Sequence, residues 1–149
     1  MKGLRNEDFK QKMKMITKKI VTQLSYDIVG CAIRVHKELG PGLLEGVYEK
    51  CLKHELQLAG FEVKSQLIVP IHYKGIDLDA NLKLDLLVND LVVVELKAVQ
   101  EVHPAFEAQL MSYMKLLEKP QGLLINFFTT NIAKSTKPII NDFFAKLPD

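Results

Sequence analysis

Two charged residues stand inside one of the most apolar runs of the chain. Glu95 and Lys97 interrupt Val92-Val93-Val94-Glu95-Leu96-Lys97-Ala98-Val99, and Asp85 intrudes in the same way among Leu84, Leu86 and Leu87. Such a run predicts a central strand covered on both faces. Taking an unpaired carboxylate or ammonium out of water is costly, so these charges need partners. A period of two puts Glu95 and Lys97 on one face, about 7 Å apart along the strand. Two carboxylates on neighbouring strands repel unless a cation lies between them. A hard divalent ion suits that need: Mg²⁺, with Mn²⁺ as the alternative, takes one or two carboxylates, keeps several waters and draws further ligands from a phosphate. The lysine one step along can then orient or help deprotonate a water attacking phosphorus. A purely structural Asp/Glu–Lys network, or a Lys97 whose ammonium reaches the sheet edge, would use the same residues. Composition alone divides the two evenly.

Strand register separates them. If Asn89-Asp90 is a two-residue turn, Val88 pairs with Leu91, and Asp85 faces away from Glu95 and Lys97. Shared chemistry needs a three-residue loop with Val88 opposite Val92, or a bulge near Asp85; one of these is predicted.

A second set lies on helical patterns. Glu45 and Tyr48 are three apart and Gln109 and Tyr113 four apart, so each pair shares a helix face. Such residues also serve simply to line a helix–sheet boundary. His36 precedes the Gly40-Pro41-Gly42 break. A lone His is more often a surface or capping residue than a ligand, although imidazole is well suited to metal.

The elements that must position these residues follow from periodicity. Leu24, Ile28, Cys31, Ala32, Val35 and Leu39 predict a helix over about Gln23–Leu39, capped by Thr22 or Ser25 and stopped by Gly40-Pro41-Gly42. A second helix is predicted over about Leu43–Ala59, with Gly60 as left-handed terminator. Val63, Leu67, Val69 and Ile71 then alternate as a strand, Pro70 marking an edge or bulge. Tyr73-Lys74-Gly75 turns into a second strand, Ile76 to Val88, followed by the strand of Glu95. Pro104 opens a helix to about Leu117, Gly122–Phe128 is a buried strand, and a last helix is predicted over Thr136–Leu147. The order α-α-β-β-β-α-β-α predicts a mixed α/β fold.

The 149 residues suit one domain, and 48% hydrophobic with 26% charged residues excludes a disordered, collagen-like or strongly basic coat protein. No apolar run is long enough to span a membrane, and the start lacks the apolar stretch of a signal peptide. Cys31 and Cys51 make neither a disulfide framework nor a CxxC metal site, so free thiols and a cytoplasmic setting are expected. The net charge of +2 is uneven: residues 1–19 hold seven Lys or Arg against Glu7 and Asp8, a net +5, which leaves −3 on the rest. The expected organisation is a basic arm over 1–22 and a single domain over 23–149. The arm is read first as a solvated terminus, with phosphate contact as the rarer alternative.

Together these residues resemble a known family. Asp85, nine intervening residues and Glu95-Leu96-Lys97 resemble the core motif of the PD-(D/E)XK nuclease superfamily. Gly42-Leu43-Leu44-Glu45-Gly46-Val47-Tyr48 matches the GxxExxY signature of one small family within it. The resemblance extends over roughly residues 25 to 140, through Val35–Glu45, Asp85–Val88 and Leu123–Phe127. It implies a restriction-endonuclease-like α-β-β-β-α-β core, a mixed central sheet flanked by helices. It also implies that Asp85 and Glu95 bind metal and that Lys97 is the catalytic lysine. Glu45 matches the acidic residue of the first core helix, a further metal- or water-organising group. Gln109-Leu110-Met111-Ser112-Tyr113 is similar to the Q-x-x-x-Y element of the RecB-type branch, which helps hold nucleic acid; in that branch an upstream His can join the metal, and His36 is the candidate. The chain departs from the pattern in Phe106, where His is common, in Lys83, where Arg is usual, and in Leu82, where Tyr is usual.

The expected function is Mg²⁺-dependent hydrolysis of phosphodiester bonds, with DNA as the favoured substrate. Lys83, Lys97 and the arm would neutralise phosphates, making binding sensitive to salt. The alternative is a nuclease-fold module with little turnover that binds nucleic acid or a protein partner. So small a chain also favours a partner or a homodimer.

Overall fold

The computed structural model describes residues 15–78 and 82–149. Helix α1 (Lys18–Leu39) starts earlier than its apolar repeat, because Thr17 rather than Thr22 or Ser25 is the N-cap, its hydroxyl accepting from the Ile20 N–H at 3.1 Å. Its first turns therefore fall within the stretch read as the arm, and Val21 is already buried; residues 1–14 lie outside the described part. Gly40, at φ 72°, closes the helix. Helix α2 (Glu45–Leu58) follows and buries Tyr48, Leu52 and Leu56. Gly60, at φ 91°, takes the left-handed conformation its position predicts. Cys31 is buried and Cys51 half-buried, both free.

The strands are β1 (Val63–Ile68), β2 (Ile71–Tyr73), β3 (Ile76–Leu78), β4 (Lys83–Val88), β5 (Val92–Lys97), β6 (Gln121–Asn126) and β7 (Thr136–Ile140); α3 (Pro104–Leu116) lies between β5 and β6, and α4 (Asp142–Ala145) follows β7. Five strands form a mixed sheet in the order β1-β4-β5-β6-β7, with only β5 and β6 parallel. Parallel neighbours need a crossover, and α3 supplies it. The α/β fold matches the restriction-endonuclease-like expectation: a mixed sheet with helices on both faces.

Two predicted elements are corrected. The strand over Ile76–Val88 is two strands: β3 pairs with β2 in a separate hairpin through Lys74 and Gly75, both at positive φ, and β4 begins only at Lys83. The predicted helix over Thr136–Leu147 is largely β7, an edge strand paired with β6, with only the single turn of α4 behind it. Pro138 is the reason, since inside a helix it would remove a hydrogen bond and clash with the preceding turn, whereas an edge strand accepts it.

The core has two layers. One joins α1 and α2 to Leu86, Val88, Val92, Val94, Leu96, Leu123 and Ile125. The other joins α3, through Leu110, Tyr113 and Met114, to Leu84, Leu87, Val93 and Leu124. α3 presses closely on β6 at Gly122, where an added Cβ would meet Met114 Sδ at 2.7 Å and Leu110 at 2.9 Å. The start of α1 meets the C-terminal residues: the Lys18 N–H donates to the Pro148 carbonyl at 2.8 Å, and Ile16 and Leu147 line one depression with Asn89 and Leu91.

Candidate active site

Val88 pairs with Val92, so Asn89, Asp90 and Leu91 make the three-residue connection that shared chemistry requires. Asn89 (φ 50°) and Asp90 (φ 57°) take left-handed conformations, which short Asx side chains tolerate better than most. The register continues through Leu87↔Val93 and Leu86↔Val94, which brings Asp85 opposite Glu95. There the carboxylates enter the ladder. The Asp85 N–H donates to Glu95 Oε1 at 3.0 Å, and the Leu96 N–H donates to Asp85 Oδ2 at 2.9 Å.

The neighbouring strand is irregular at the same level. In β1, Ser65 pairs with Leu86 and Leu67 with Leu84, so Gln66 faces Asp85. Gln66 has φ 51°, a left-handed conformation inside a strand. Both strands exchange faces across this point: Val63 and Leu86 pack with α1 and α2, whereas Leu67 and Leu84 pack with α3. Strict alternation would have kept each pair on one face. Gln66 uses its side chain to donate to Glu49 of α2.

Glu95 is 5% exposed, and its carboxyl is pushed up to about 8. Burial is the largest cause and the Asp85 charge the next; the Asp85 N–H and Lys97 oppose them, and hydrogen bonding between the two carboxyl groups adds to the rise. Glu45, in the first turn of α2, is half-buried; burial pushes its carboxyl up, Lys97 draws it down, and Asp85 and Glu49 push it up again. Glu49, one turn on, is raised by burial and by Asp85 against the Gln66 hydrogen bond. Tyr113 enters from the opposite layer, and burial, then Glu95, then Asp85 raise its phenol. The site therefore gathers groups from β4, β5, α2 and α3.

Lys97 ends β5, where its carbonyl accepts from the Phe127 N–H at 2.7 Å and it pairs with Asn126. The buried Asn126 side chain in turn holds both the N–H and the carbonyl of Val99. The Lys97 ammonium lies over the Phe106 ring, 4.3 Å from its centroid. Tyr48, the last residue of the Gly42–Tyr48 signature, is fully buried and stacks on Phe127 at 4.5 Å. Its hydroxyl donates to the Gly40 carbonyl and accepts from the Leu43 N–H at 3.0 Å, which fixes the approach of the chain to Glu45.

His36, Gln109 and Lys83 take no part in the hydrogen bonds or charge interactions of this cluster. His36 Nε2 is bonded to the Thr129 carbonyl at 2.8 Å, tying α1 to the connection after β6. Gln109 is exposed on α3, and Lys83 is exposed at the start of β4 opposite Ile68. Glu49 and Gln66 lie outside the set that the sequence predicts. The spacing of four from Glu45 could have found Glu49, but nothing local marks a left-handed Gln in a strand. The sequence marks Phe106 only as a departure from a motif.

Among the described residues no three His, Cys, Asp or Glu side chains converge closely enough to hold a metal ion by themselves. The Asp85–Glu95 pair nevertheless fits a hard divalent ion, which needs only one or two carboxylates when water and phosphate complete its shell. A cation would also relieve the Asp85 repulsion that, after burial, helps to raise Glu95.

The family model described as PD-(D/E)XK nuclease superfamily matches residues 22–139. No curated protein and no solved structure matches the chain significantly. Among the described residues no helix is long and apolar enough to cross a membrane.

Proposed function

The chain belongs to the PD-(D/E)XK nuclease superfamily, and from that premise we propose that it hydrolyses phosphodiester bonds, with DNA as the favoured substrate and Mg²⁺ or Mn²⁺ as cofactor. Its GxxExxY signature and its Q-x-x-x-Y element suggest a RecB-type member of that superfamily. The observation that carries the reading is the Asp85–Glu95 pair, two carboxylates held face to face at the end of the sheet with Lys97 one step along.

In this reading Asp85 and Glu95 hold the cation, with Glu45 beside them to organise water. When bound, the ion supplies positive charge against the negative charge developing on the phosphate. Lys97 orients the attacking water, and Asn126 and Phe127 keep the backbone of Lys97 in place for it. Tyr113, Gln109 and Lys83 position the strand. His36, with Nε2 spent on Thr129, retains only Nδ1 for a metal, so it serves chiefly to set the loop after β6.

The test is incubation with single- and double-stranded DNA and RNA, with Mg²⁺ or Mn²⁺ and then with chelator. Cleavage that needs the metal and is lost in Lys97→Ala supports the proposal. Binding of nucleic acid without metal-dependent cleavage replaces it with a non-catalytic binding module.

A further inference from the structure

Lys97 is the cation nearest in function to the acidic pair, and its charge reaches both Glu45 and Glu95. Yet among the described residues no carboxylate lies within ion-pair distance of its ammonium. The ammonium instead sits over Phe106, 4.3 Å from the ring centroid. Phe106 is half-buried in the first turn of α3 and packs against the α3 core layer, so its ring is anchored. His103, the N-cap of that helix, meets the same ring edge-on at 6.2 Å. A flexible four-carbon stem would otherwise let the ammonium settle on the adjacent carboxylates. A lysine so placed would compete with any cation for the same oxygens.

We propose that Phe106 is a positioning residue that holds the Lys97 ammonium off the Asp85–Glu95 pair, keeping lysine and cation sites separate. The inference rests on the proposed function for its purpose, but not for its geometry. A face-on ring attracts an ammonium without neutralising it and without offering it an acceptor. Lys97 thus remains available to a water or a phosphate oxygen, and the carboxylates remain available to a cation.

Two measurements decide it. In metal-free protein, the Lys97 ε-methylene protons are expected upfield from the ring current of Phe106, at ordinary lysine positions in Phe106→Leu, and upfield again in Phe106→Tyr, which keeps the ring. Calorimetric titration with Mg²⁺ is expected to show affinity about 3- to 10-fold weaker in Phe106→Leu, the size of a contact of this kind. Combining Phe106→Leu with Lys97→Met is expected to abolish that loss, since the competitor is gone. An ordinary Lys97 shift in the wild type overturns the inference, whatever the enzyme does. So does an upfield shift with Mg²⁺ affinity unchanged in Phe106→Leu. A wild type that shows the upfield shift but binds no Mg²⁺ overturns the proposed function and removes the purpose of the contact with it.

Discussion

Asp85 and Glu95 each accept a backbone N–H from the strand that carries the other. The exchange replaces a rung of the ladder with two carboxylates and fixes both side chains with backbone N–H groups alone. It also separates two roles that substitution can tell apart. Asp85→Asn keeps an oxygen for the Leu96 N–H, whereas Asp85→Ala leaves that N–H without its partner. An orphaned buried donor costs about 1–3 kcal/mol. Asp85→Ala is therefore expected to melt about 2–10 °C below Asp85→Asn, although both lose metal-dependent cleavage. Equal melting temperatures would show that the bond to Leu96 contributes nothing to stability.

Glu95 makes the stability of the metal-free protein depend on pH. Its carboxyl rises from 4.5 to about 8 on folding, so between those values the folded chain holds a proton that the unfolded chain has released. The associated stability is complete below about pH 4.5 and lost as pH rises through about 8. Glu95→Gln removes the ionisation but keeps an oxygen for the Asp85 N–H. In chelator, its melting temperature is expected to exceed that of the wild type by a growing margin from pH 6 to pH 9. A constant margin would contradict the raised carboxyl.

Tyr48 governs the approach to Glu45 through its hydroxyl. Tyr48→Phe keeps the stack on Phe127 but strands the Leu43 N–H and the Gly40 carbonyl. A loss of about 1–3 kcal/mol is expected by chemical denaturation, together with lower cleavage at saturating Mg²⁺. Unchanged stability would show that the two hydroxyl bonds contribute nothing to the fold.

Gly122 sets the distance between α3 and β6. A methyl group there would need Met114 and Leu110 to retreat from contacts of 2.7 and 2.9 Å. Gly122→Ala is expected to cost about 1–3 kcal/mol through overpacking, read as a lower midpoint in urea with an unchanged slope. A neutral midpoint would show that α3 yields freely.

The acids were visible in the sequence because they violate their surroundings. Asp85, Glu95 and Lys97 interrupt apolar runs, and the constraint that they share a face required either a bulge near Asp85 or the Val88–Val92 register, the second of which the strands adopt. The fold was harder where two periodicities compete. Thr136–Ile140 leads straight into Asp142–Ala145, so a short edge strand and a single helical turn were joined into one helix despite Pro138. The exchange of faces at Gln66 and Asp85 was not legible at all. It depends on a left-handed backbone at a residue type that rarely adopts one, and only the carboxylate opposite and Glu49 beside it give it a setting. Alternation rules fail at that point of the sheet, next to the group of residues proposed to do chemistry.

The bond between Lys18 and Pro148 has a practical consequence. It lies beside the Asn89–Leu91 connection, at the end of β5 remote from Lys97, about 17–20 Å along a six-residue strand. The start of α1 and the C-terminal residues therefore both lie at the pole away from the carboxylates. A fluorophore, surface tether or fused module attached at the C-terminal end would leave the acidic pair clear. A short bridge from Asp149 to Ile16, with new termini opened at the β2–β3 hairpin, would give a rearranged chain order around the site.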